Sequence, residues 1–102
     1  MIKVKIKRSN NKVYELMIKG HANYDDMGKD IVCSAVSTMA ITTINNIMAL
    51  DSSIDYEEDS GYINIRVLKD TEINEKLLNN LVMMLEELQS QYPKNIEIRN
   101  EV

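Results

Sequence analysis

Ile2, Val4 and Ile6 alternate with Lys3, Lys5 and Lys7 at the start of the chain, the period-two pattern of a strand with one buried and one wet face. Asn10-Asn11 supplies turn chemistry, because Asn tolerates the positive φ that tight hairpins need, and a second strand follows from Val13 to Lys19. The period then changes. From Asp30 to about Leu50 there are almost no charges, no Gly and no Pro, and apolar side chains at 32, 35, 36, 39, 40, 44, 47 and 48 recur at helical spacing, so a buried helix is expected. Residues 54 to 58 and 62 to 68 read as a second hairpin around Asp59-Ser60-Gly61, with Ile54 and Tyr56 facing Ile63, Ile65 and Val67. Between Thr71 and Ser90, Ile73, Leu77, Leu81, Leu85 and Leu88 mark one face of an amphipathic helix, and Tyr92-Pro93 ends it. Ile96 to Arg99 alternate again as a last strand.

The order is ββαββαβ, and short hairpins favour antiparallel neighbours while two one-faced helices cover the same side of one sheet. The expected fold is α+β, a two-layer sandwich with a mainly antiparallel five-stranded sheet and two helices. A length of 102 residues suits one domain, 1–102, with a core large enough to need neither disulfides nor metals. With no Phe and no Trp, that core must come from Ile, Leu, Val and Met with a few of the Tyr side chains. Met27, Met39, Met48, Met83 and Met84 read most simply as core filling, with Met83 and Met84 also available to a dimer interface.

No stretch reads as both apolar and long enough to span a bilayer, and the alternating amino terminus lacks a signal-peptide core, so a cytoplasmic protein with no membrane partner is expected. A single cysteine agrees with a reducing compartment. The net charge of −4 argues against nonspecific nucleic-acid binding, so no direct nucleic-acid partner is required. The lysines of the first strand are most simply a solvated face that discourages edge pairing. They also keep open a noncatalytic alternative, a cradle for RNA or an acidic partner.

The candidate chemistry is concentrated in one segment, since the only histidine and the only cysteine flank a short polar loop between the second strand and the first helix. With Asp30 as N-cap, Cys33 falls in the first helical turn, where free N–H groups and the positive end of the helix dipole favour a thiolate. The same N–H groups, near Cys33 and Ser34, are candidates for an oxyanion hole. His21 lies at the far end of the second strand, and a loop of this length closes at modest entropic cost, so the two side chains can meet. Strand parity puts His21 on the side of Glu15, Met17 and Lys19, so a bulge or strand end is needed to turn it toward the helix. Taken singly, such a cysteine is compatible with a small buried hydrophobe and such a histidine with a surface residue. Together they make the one nucleophile and general-base couple the chain can build. Asp30 has two readings, a helix cap or a third group orienting His21. Asp25 and Asp26 are weaker candidates for that role or for contacts to a basic substrate segment. One His, one Cys and loop aspartates make a poor zinc set, so neither a metal nor a cofactor is expected.

Gly20-His21-Ala22 and Asp30-Ile31-Val32-Cys33, followed by Ala35-Val36-Ser37, resemble the two signature motifs of the ribosomal-processing cysteine protease family called Prp, with Ser34 where that family has Ala after the nucleophile. The resemblance implies a cytoplasmic cysteine endopeptidase that removes the short amino-terminal extension of a large-subunit ribosomal protein precursor. It implies Cys33 as nucleophile and His21 as general acid/base, the alternative being a noncatalytic module that binds a ribosomal protein or RNA through the lysine face of the first strand. It further implies a homodimer and a mobile loop that responds to substrate, formed here by Asn23, Tyr24, Asp25, Asp26, Met27, Gly28 and Lys29.

Overall fold

In a computed structural model of the chain, which describes residues 1–26, 30–50 and 53–101, seven elements follow the expected order. They are β1 (Ile2–Ser9), β2 (Lys12–Lys19), α1 (Ile31–Leu50), β3 (Ile54–Asp59), β4 (Tyr62–Val67), α2 (Glu72–Gln91) and β5 (Ile96–Glu101). β1 and β2 form a hairpin whose turn residues Asn10 and Asn11 have φ of 54° and 63°, the left-handed conformation that a two-residue turn requires and Asn tolerates. The strands lie in the order β3-β4-β2-β1-β5, every pair antiparallel except β1 with β5. The sheet is thus mixed but mostly antiparallel, and the fold is the α+β arrangement read from the alternation.

Alternation also decides which face is buried. Ile2, Val4 and Ile6 of β1, Leu16 and Ile18 of β2 and Ile63 and Ile65 of β4 are buried with Val32, Val36, Ala40, Ile44 and Ile47 of α1 and Leu78, Leu81, Val82 and Leu85 of α2. Pairing shifts register between Lys7 and Arg8, so Val13 joins the core although its odd number would place it on the wet face. Thr71 caps α2 by accepting the Asn74 N–H at 3.2 Å, and the buried Asn74 amide donates to Ser53 Oγ at 2.6 Å and to the Lys69 carbonyl at 2.9 Å, fixing the entry to that helix.

Three expectations change in detail. Tyr56 pairs with Ile65 in the ladder yet is well exposed, because β3 is an edge strand and only Ile54 of it is buried. Met39 and Met84 pack against the core, whereas Met48 and Met83 are exposed, because they fall outside the buried stripe of their helices. The third correction concerns membranes. By length and composition alone α1 is long and apolar enough to cross a bilayer, because Ser, Thr and Asn dilute its apolar run without adding a charge. In the fold its apolar stripe is instead part of the core shared with the sheet and α2.

Candidate active site

The site is built where β2 ends and α1 begins. Strand pairing holds β2 as far as Lys19, and Gly20 then takes φ of 102°, with its N–H donating to the Gly61 carbonyl at 2.8 Å. Only glycine fits there, because a Cβ would sit 2.6 Å from the Met1 carbonyl oxygen. This break in the strand is what overrides the parity of His21. Beyond it His21 lies against the turn between β3 and β4 and lines a cavity of about 190 Å³ that Cys33 also lines. Ile2, Ile18, Val36, Ile41 and Ile63 make the apolar walls, Glu58 and Asp59 bring carboxylates to it, and Ser37 stands one turn of α1 beyond Cys33.

Gly61 matters for the same reason as Gly20. A Cβ there would come 2.9 Å from His21 Nε2 and 3.0 Å from Cε1, and Gly61 has φ of 66°. Gly61→Ala is therefore expected to displace the imidazole and lower kcat for peptide hydrolysis by about tenfold to a hundredfold, since misplacement by an ångström has costs of that order. Steady-state kinetics read beside the melting temperature check this, because strain in the left-handed region costs only about 1–2 kcal/mol.

Asp30 begins α1 as the cap the sequence calls for. Its Oδ1 accepts the N–H groups of Val32 and Cys33, both at 3.0 Å, and its Oδ2 accepts those of Tyr24 at 2.9 Å and Asp25 at 3.4 Å. Burial of this carboxyl acts to raise its pKa, but the four donors, led by Cys33 and Tyr24, outweigh burial and hold it below the ordinary carboxylate value. Both oxygens are thus directed at backbone. The imidazole of His21 has no hydrogen-bond partner among the described residues, so Asp30 ties the loop after His21 to the helix carrying Cys33 without touching the ring.

The helix-start donors expected to serve an oxyanion hole both carry hydrogen bonds of the cap in this structure. The Cys33 N–H is bonded to Asp30 Oδ1, and the Ser34 N–H donates to the Asp30 carbonyl at 3.1 Å. The N–H directed at the sulfur belongs to Ala22, 3.1 Å from Cys33 Sγ. The Ala22 carbonyl in turn accepts Asn95 Nδ2–H at 2.9 Å from the connection between α2 and β5. Tyr24 stacks edge-on against Tyr92 of the same connection, ring centroids 5.3 Å apart. Of the loop expected to be mobile, Asn23, Tyr24, Asp25 and Asp26 are within the described residues, with Asn23 at φ of 56°, and Met27, Gly28 and Lys29 lie outside them. Sequence reasoning missed Asn95, Tyr92 and Gly61, which lie 40 or more positions from His21; Pro93 signals only a turn there.

A partly buried free cysteine in the first turn of a capped helix, sharing one cavity with the chain's only histidine, has the composition of a thiol-dependent peptidase site. The comparisons agree. The family model described as cysteine protease Prp matches residues 1–97, and the chain belongs to that family. The ribosomal processing cysteine protease Prp of Staphylococcus aureus is 31% identical over 92 residues, covering 85% of this chain and 86% of the relative. The one from Bacillus subtilis is 27% identical over 111 residues, covering 100% of this chain and 99% of its own. Among solved structures, the crystal structure of the essential S. aureus protease with a covalently linked product peptide superposes with a TM-score of 0.94 at 27% identity, covering 99% of this chain and 100% of that one.

Proposed function

We propose that this cysteine protease removes the short amino-terminal extension of a large-subunit ribosomal protein precursor, with Cys33 as nucleophile and His21 as general acid/base. The observation that carries the reading is the shared cavity: the one thiol and the one imidazole of the chain line the same apolar-walled recess. A relative named for ribosomal processing, solved with a product peptide attached, supports the substrate class.

The Cys33 thiolate attacks the scissile carbonyl carbon, and the π pair of the carbonyl moves onto its oxygen. The C–N bond then breaks, His21 gives the leaving amine its proton, and the new carboxy end is held as a thioester. His21 next takes a proton from water, which attacks the thioester and restores the thiolate. Asp30 serves as cap and positioning residue, and Glu58 and Asp59 add negative charge to the recess that receives the peptide.

The protein acts in the cytoplasm as a homodimer. The dimer is supported by the outward surface of α1, which has no charged residue and exposes Ile31 and Leu50, and by exposed Met83 on α2. Alkylation kinetics test the pair. His21→Ala is expected to slow iodoacetamide modification of Cys33 near neutral pH by about tenfold or more, as loss of an assisting base does. An unchanged alkylation rate would remove His21 from the mechanism.

A further inference from the structure

Acyl transfer to a thiolate places negative charge first on the sulfur and then on the oxygen of the carbonyl that the sulfur attacks. A donor that serves both must lie beside the sulfur before substrate arrives and must not already be committed elsewhere. The two N–H groups nearest in sequence fail this requirement, since Cys33 N–H and Ser34 N–H close hydrogen bonds within the Asp30 cap. Ala22 N–H meets it, 3.1 Å from Sγ.

Its peptide is also held from the far side. Ala22 is only 1% exposed, and its carbonyl takes the Asn95 amide at 2.9 Å. Asn95 is fixed in turn by its N–H on the Tyr92 carbonyl at 3.0 Å and by its own carbonyl, which accepts the Ile2 N–H at 2.8 Å. Two residues further on, Tyr24 N–H is anchored on Asp30. The donor is thus braced by β1, by the connection into β5 and by the helix cap, the kind of fixed dipole that needs no rearrangement when charge develops.

Resting on the acyl-transfer reading above, the geometry points to the Ala22 backbone N–H as the donor that holds the Cys33 thiolate and then the oxyanion of the tetrahedral intermediate, with Asn95 as the residue that positions it. The sulfur's charge leaves it as the S–C bond forms, and the same N–H follows that charge to the carbonyl oxygen. The Ala22 side chain, buried in the core, makes no part of this contact, so a side-chain substitution leaves the N–H in place and the test must remove the N–H itself.

The chain can be assembled by ligation at its only cysteine, joining residues 1–32 to residues 33–102, once with all amides and once with L-lactic acid in place of Ala22, which exchanges the N–H for an ester oxygen. On a peptide spanning the precursor's processing site, the ester chain is expected to lose about a hundredfold or more in kcat, the usual effect of deleting one oxyanion donor, with KM changed by no more than about twofold. Alkylation of its Cys33 at mildly acidic pH slows as well. Asn95→Asp, isosteric but without the Nδ2 donor, is expected to lower kcat about tenfold with KM again nearly constant. An ester chain within threefold of the all-amide chain overturns the proposal. A kcat loss that merely tracks a large fall in melting temperature does so too, since it makes the Ala22 peptide a structural link. An all-amide chain that cuts nothing contradicts the protease reading itself, which separates the two failures.

Discussion

Cys33→Ser is expected to abolish peptide cleavage, with kcat falling by roughly 10⁴-fold or more, while the melting temperature moves by only about a few degrees. The size of the loss follows from the proposed role: without a nucleophile, what is left is catalysis by positioning and by donors alone. The small structural cost follows from the site, because serine keeps an acceptor where Ala22 N–H points and the sulfur is only partly buried. Stopped assays on a fluorogenic peptide, with thermal melts on the same samples, check both halves. A serine variant that keeps a tenth of the activity would move the nucleophile elsewhere.

Asp30→Ala is the most damaging change outside the reacting groups. It leaves four backbone N–H donors without their shared acceptor, two at the start of α1 and two in the loop behind His21. Hydrogen bonds to a charged group contribute about 1.5–3 kcal/mol each, but this cluster cannot be additive, and water reaches the exposed Tyr24 and Asp25 end. A loss of about 3 kcal/mol is expected, which for a domain of this size lowers the melting temperature by roughly 10–20 °C. The pH dependence gives a second readout. Asp30 has its folded pKa held below the unfolded value, so its contribution is full above the unfolded value of about 3.9 and is lost as pH falls through the lower folded value. The stability gap between the native chain and Asp30→Asn, measured by denaturant titration, should therefore be constant near neutrality and close only below about pH 4. A gap that closes between pH 5 and 7 would assign the effect to another group.

How much of this was written in the sequence depends on the distance over which each feature acts. The Asp30 cap was legible because capping is local chemistry, an acceptor two and three residues before the donors it satisfies. The strands of the first hairpin were legible because the pleat has period two and Asn-Asn marks the turn, and β5 was legible as a strand but not as the parallel partner of β1, 94 residues away. His21 and Cys33 could be paired by type and spacing. How His21 reaches the cavity could not, because it depends on Gly20 meeting the Met1 carbonyl and on Gly61 leaving room for the ring. The contact of Ala22 N–H with the sulfur was not legible either, because it depends on how the end of β2 is laid against the start of α1. Asn95 and Tyr92 were invisible, since their partners Ala22 and Tyr24 lie about 70 residues upstream.

α1 shows the limit of composition in the other direction. Its lack of charge does not distinguish a core helix with an interaction surface from a membrane span, and the distinction comes from the sheet and α2 that cover its apolar stripe. That same uncharged outward surface is the reason the proposed homodimer is placed there.

The measurement that tests the central claim most directly is mass spectrometry of the host's large-subunit ribosomal protein precursor, its amino-terminal extension confirmed present, after incubation with this protein. One cut that removes the extension and leaves the rest of the precursor whole is the result predicted, absent with Cys33→Ser. A precursor that stays intact in both incubations would contradict it.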